Sequence, residues 1–129
     1  MDVETYFKDM YYNIWQSHDI GRFDEFYAKD FHETIMTSDD SKQPVQLQMN
    51  YDELKAQTIW QKDNYKDTTI EYKKIIAGEG SHISVCFYST STYIPTGDLH
   101  HRCVSGIWHI NNNHQIDHVC AVVTPFYPK

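Results

Sequence analysis

Four residues have the types and placement to act on a small molecule: Tyr11, Arg102, Trp108 and Asp117. Two of them, Trp108 and Asp117, fall in a β-ribbon whose arms, 104–110 and 116–123, run either side of Asn111-Asn112-Asn113-His114, and Arg102 lies just before the first arm. Asn tolerates the left-handed backbone of a two-residue hairpin loop, so Asn112-Asn113 can form the loop. Asn111 then faces His114, and Trp108 lies opposite Asp117, Gly106 opposite Val119, Val104 opposite Ala121 and Arg102 opposite Val123. Directly opposed side chains touch. A carboxylate against an indole in a dry cavity would have its pKa raised, as suits a general base. Arg102 would neutralise an acidic ligand group, and Tyr11 would donate to a carbonyl. The alternative is structural: Asp117 solvated at the ribbon mouth, or paired with a Lys or Arg.

Alternation gives the ribbon two surfaces. One carries His100, Arg102, Val104, Gly106, Trp108, Ile110, Asp117, Val119, Ala121 and Val123; the other carries His101, Cys103, Ser105, Ile107, His109, Ile116, His118, Cys120 and Val122. Both are too apolar to face water. Zinc uses His and Cys ligands, but this register sets Ile107, not His109, opposite His118, and no short ligand spacing occurs. The expectation is therefore no metal and no cofactor, with the second surface a dimer face. His100-His101 opens a strand, where the two side chains diverge and are solvated. Cys103 and Cys120 lack a Cys-His-Asn pattern, and buried thiols are inert. Asp39-Asp40 reads as a polar loop.

Several elements must position these groups. Residues 2–18 form an amphipathic helix through Val3, Phe7, Met10, Ile14 and His18, with Asp2 as N-cap and Gly21 just past its end. A short helix over about 22–29 and a strand over 31–37 follow. Pro44 keeps the next polar loop irregular. Asn50-Tyr51-Asp52-Glu53 has the form of a capping box and opens a helix to about Tyr65, with Leu54, Ile59 and Trp60 on its buried side. From Asp67 the chain reads as four long antiparallel strands, with turns at Gly78-Glu79-Gly80, at Pro95-Thr96-Gly97-Asp98 and in the ribbon. That order is α+β. A strongly twisted sheet curls, and helices over its concave face leave a cone-shaped cavity. Tyr11, Trp15, Trp60 and Trp108 would border it.

The 129 residues suffice for a single domain with a core of its own. A net charge of −7 with no basic stripe argues against nucleic acid and anionic membranes. Three Cys without a close pair fit a reducing compartment. The acidic start, Met1-Asp2-Val3-Glu4, lacks a signal-peptide layout, and no apolar run approaches a membrane span, so the expected location is cytoplasmic.

The stretch Trp15–Phe31, with Tyr27-Ala28-Lys29-Asp30, resembles the end-of-helix segment of nuclear transport factor 2-like domains of the SnoaL-like polyketide cyclase and ketosteroid isomerase kind. Ile107-Trp108-His109-Ile110 through Val123 resembles their closing hairpin, and is also similar to the association domain of calcium/calmodulin-dependent kinases. The resemblance implies a cone-shaped (cystatin-like) roll whose concave face binds an apolar small molecule. It also implies a homodimer through the convex sheet face. It turns the Trp108 and Ala121 surface toward the pocket, so that Tyr11, Trp15, Ile35, Trp60, Arg102, Trp108, Val119 and Ala121 are the expected ligand contacts. Tyr11 falls where ketosteroid isomerases keep the tyrosine that hydrogen-bonds the developing enolate. The base of that activity would fall near Ile35 and its partner acid near Gly106. The last-strand aspartate of SnoaL-like cyclases and limonene epoxide hydrolases would fall at Ala121, or Cys120 after a slip of one. None is acidic here. Two functions stay open: a pocket doing isomerase-, cyclase- or hydrolase-type acid-base chemistry through Tyr11 and Asp117, or a non-catalytic dimerisation or partner-binding module.

Overall fold

A computed structural model describes residues 2–38 and 42–125 of the chain, the Pro125 side chain excepted. The expected Asp39-Asp40 loop lies outside the described residues. Helix α1 (Val3–Tyr11) starts where expected, the Asp2 carboxylate accepting from the Glu4 and Thr5 amides at 3.0 and 3.3 Å. It continues as a π-helical turn, Tyr12–Gln16, and His18 closes it in the left-handed conformation that ends helices. A 3-10 turn (Ile20–Arg22) and the single-turn α2 (Phe23–Phe26) lead into β1 (Tyr27–Ser38). The helix expected over 22–29 is thus cut short. Tyr27, Ala28 and Phe31 are needed in the core as strand residues.

Strand β2 (Pro44–Asn50) begins at the proline expected to keep the preceding polar loop irregular, and occupies residues for which no element was expected. Pro44 is tolerated because it is the first residue of an edge strand, where its missing N–H breaks no central ladder. The capping box forms as read, with the Asn50 side chain accepting from the Glu53 amide at 2.9 Å and the Asn50 amide donating to the Glu53 carboxylate at 3.0 Å. Helix α3 (Tyr51–Asn64) buries Tyr51, Leu54 and Thr58; Ile59 and Trp60, expected on its buried side, are both 44% exposed.

Strands β3 (Tyr65–Ala77), β4 (His82–Tyr93), β5 (Leu99–Ile110) and β6 (Ile116–Pro125) form the expected meander. Among the described residues one six-stranded sheet runs β2-β1-β6-β5-β4-β3, antiparallel except where β1 lies parallel to β6. Helices cover one face, and the core between them is aromatic: Phe7 meets Trp108 edge-on at 4.9 Å and stacks on Tyr11 at 5.2 Å.

The ribbon differs from the expected register. Its loop spans three residues, with the Asn111 amide donating to the Gln115 carbonyl and the left-handed position taken by His114 (φ 58°) rather than an asparagine. An extra residue, Asp117, bulges between the pairs Ile110–Ile116 and His109–His118. The ladder therefore pairs Trp108 with Val119, Gly106 with Ala121 and Val104 with Val123. Both surfaces keep their strand residues except near the bulge, where Ile116 turns into the core and Asp117 turns out.

Candidate functional site

A cavity of about 300 Å³ opens on the concave face, between the sheet and helices α1 and α3. Tyr11, Trp15, Ile35, Trp60, Arg102, Trp108 and Ala121 line it, seven of the eight expected contacts. Val119, the eighth, lies behind the wall at 2% exposure, packed between Glu33 and Trp108 in the sheet. Asp117 is not on this wall; the bulge carries it to the opposite face. That corrects the pairing on which its assigned role as base rested.

The carboxylate on the wall is Glu33. In the sheet, Ile35, Ala121 and Gly106 are direct partners across three strands, and they are the positions where the resemblance would have set acids. One row away come Glu33, Val119 and Trp108. The acidic group is thus displaced by two residues along β1 while staying on the cavity side. Met49, its partner on β2, and Leu54 and Ile70 elsewhere on the wall are apolar. Desolvation alone raises the Glu33 carboxyl from 4.5 to about 7. Glu33 is only half-buried in surface terms because it faces the hollow, yet the groups around it are poor substitutes for water.

Tyr11 stacks between Phe7 and Trp15 and meets Phe87 edge-on at 4.9 Å. Burial holds its phenol well above the ordinary value, and the Glu33 charge pushes the same way while Arg102 opposes it. The phenol therefore stays protonated as a hydrogen-bond donor. Trp15 is pinned by its indole N–H, which donates to the Tyr27 hydroxyl at 3.2 Å. Arg102 sits farther along β5, its Nη2 donating to the Tyr65 hydroxyl at 3.1 Å. His100, expected to be solvated, shares a hydrogen bond with Tyr65 at 2.8 Å, and His101 shares one with the Thr90 hydroxyl at 3.0 Å.

On the convex face a second cleft gathers Asp30, His32, His82, His109, Asp117 and His118. The four imidazoles occupy one row across β1, β6, β5 and β4, with His109 directly opposite His118, against the expected register. His109 Nδ1 lies 2.6 Å from the Asp117 carboxylate, and burial holds His118 below the ordinary value. Among the described residues no three His, Cys, Asp or Glu converge to hold a metal ion. Cys86, Cys103 and Cys120 are free and half-buried rather than buried. Around the row this face exposes Ile107, Val122, Met36 and Tyr88 at 40–50%.

No family profile and no curated protein matches the sequence. Solved structures do. A ketosteroid isomerase-like protein from Erwinia carotovora atroseptica superposes with a TM-score of 0.65 at 16% identity, covering 98% of this chain and 95% of the other. A candidate polyketide cyclase from Acidithiobacillus ferrooxidans gives 0.70 at 12% identity, covering 95% and 88%. AusH from Aspergillus nidulans gives 0.70 at 12%, covering 94% and 82%. At such identities the likeness establishes the fold alone: an α+β roll like that of these polyketide cyclase-like and ketosteroid isomerase-like structures. Among the described residues no helix is long and apolar enough to cross a membrane.

Proposed function

We propose that the chain binds a small, partly apolar carbonyl compound in the concave cavity and moves a proton on it. Glu33 is the base and Tyr11 the donor to the carbonyl oxygen. The observation that carries this reading is a carboxyl held at about 7 by desolvation on the wall of an open cavity. A base titrating near neutrality combines availability with driving force, and general-base catalysis of this kind contributes about 10²–10⁴-fold. Glu33 takes the proton from the carbon beside the carbonyl, the electron pair moves onto oxygen, and the Tyr11 O–H stabilises the oxyanion. The proton returns from Glu33 to carbon or to an adjacent position.

Deuterium uptake from D₂O at the α-carbon of 1-tetralone, followed by NMR, tests this. The wild-type chain is expected to exceed buffer and to rise through about pH 7, Glu33→Gln to lose about 10²-fold or more, and Tyr11→Phe to lose less. Unchanged exchange in Glu33→Gln would sink the assignment, as would a wild type no faster than buffer.

A homodimer through the convex face is the second part of the proposal. It rests on the exposed Ile107, Val122, Met36 and Tyr88, on strands whose central outward positions carry no Lys or Arg. The alternative, a non-catalytic module of the same fold, would require the cavity to be filled rather than open.

A further inference from the structure

We propose that the cavity is built for an elongated ligand that is itself an anion, an apolar body with one carboxylate remote from its reacting carbonyl, and that Arg102 selects it. This rests on the cavity being a ligand site and names the class of ligand.

Arg102 is the one cation among the described residues lining the cavity. Its guanidinium has no carboxylate within ion-pair distance among the described residues. It is instead held by neutral groups. Nη2 donates to the Tyr65 hydroxyl at 3.1 Å, and Cζ lies 5.0 Å from the centre of the Tyr65 ring. Tyr65, accepting from Arg102, can give its own proton to His100 Nδ1 at 2.8 Å. Tyr65 is 4% exposed, so the clamp is buried while the guanidinium it holds is on the wall. A half-desolvated cation backed only by dipoles costs free energy unless an anion completes it. Planar guanidinium donors fit a carboxylate two bonds at a time.

The rest of the molecule gives such an anion no help. The net charge is −7, and the other charged group on the wall, Glu33, is a carboxyl. An anion can enter only if a dedicated cation receives it away from Glu33. The sheet provides that separation. Glu33 shares a row with Trp108, and Arg102 lies six residues along β5 from Trp108, about 20 Å at the strand rise. Tyr11 lies within reach of both fields, since Glu33 and Arg102 push its phenol in opposite directions. Between them the wall is apolar: Val104 and, paired with it on β4, Phe87. A ligand with its carboxylate on Arg102 would span this stretch and present its carbonyl to Tyr11 and its acidic C–H to Glu33.

A matched pair of probes tests the selection without turnover: octanoate and octanamide, equal in length and differing in charge. All three tryptophans of the chain line the cavity, so intrinsic fluorescence reports binding of either. At about pH 8 octanoate is expected to bind about tenfold tighter than octanamide, the difference a charge-assisted bidentate contact supplies. Arg102→Met should erase that ratio, and Arg102→Lys should keep part of it, with circular dichroism confirming that both fold. Equal or amide-preferring binding by the wild type would overturn the proposal and leave the cavity a neutral-ligand site. A ratio that survives in folded Arg102→Met would also overturn it. If neither probe binds, the ligand reading falls and this inference with it. An inactive base leaves the measurement unaffected.

Discussion

Glu33 is the one carboxylate that β1 turns toward the cavity, and its cost is measurable. Its pKa rises from 4.5 to about 7, so the folded chain holds this proton more tightly than the unfolded chain does. The stability this contributes is fully present below about pH 4.5 and is lost as pH rises through 7. Glu33→Gln removes the buried charge. At about pH 8 the variant should be more stable than the wild type by about 2–3 kcal/mol, and near pH 4.5 the two should match. Urea melts at the two pH values check this; equal stability at both would mean water fills the hollow around the carboxylate. Burial holds His18 and His118 below their ordinary values and acts in the opposite sense, but both are common to the two proteins and cancel. Glu33 had a signal in the sequence: it alternates with Phe31, Ile35 and Thr37 and so shares a face with Ile35. An acidic residue in an amphipathic strand is ordinarily assigned outward, and the resemblance drew attention to Ile35 instead.

The ribbon carries the lesson at the level of elements. Gly106 faces Ala121 so closely that a Cβ built on it would lie 2.7 Å from the Ala121 Cβ and 2.7 Å from the Cys120 carbonyl oxygen. Backbone lies on one side of that gap, so β5 and β6 must part to admit a side chain. Gly106→Ala is expected to cost about 1–3 kcal/mol, seen as a lower urea midpoint with an unchanged slope. A variant as stable as the wild type would show that the strands separate freely. The same crowding explains why no acid can stand at this position, and why the carboxylate on this wall belongs to β1. The bulge at Asp117 was invisible in residue types, because Asp117 looks like any polar residue in an alternating strand. Its extra residue moves a carboxylate from the concave to the convex face and turns Ile116 inward.

At the scale of the whole molecule, the convex sheet face combines apolar exposure with a row of four imidazoles. A face of that kind is expected to pair two copies about a two-fold axis. Sedimentation equilibrium at neutral pH should give twice the mass of 15.3 kDa, and Ile107→Glu should shift it toward the single-chain value. A monomer at high concentration would contradict the dimer while leaving the cavity proposals intact, since the cavity opens on the other face.

The sequence by itself determined the helix N-caps at Asp2 and Asn50, the order of helices and long strands, the two-faced ribbon and the aromatic lining of the concave side. These follow from local hydrogen bonding and hydrophobic period, which neighbouring residues encode. Three features needed the tertiary structure: the edge strand beginning at Pro44, the bulge that expels Asp117, and the enclosure that turns Glu33 into a group titrating near neutrality. Each depends on what a distant strand or helix sets beside the residue. Register and desolvation are properties of that company, and the residues' own types do not contain them.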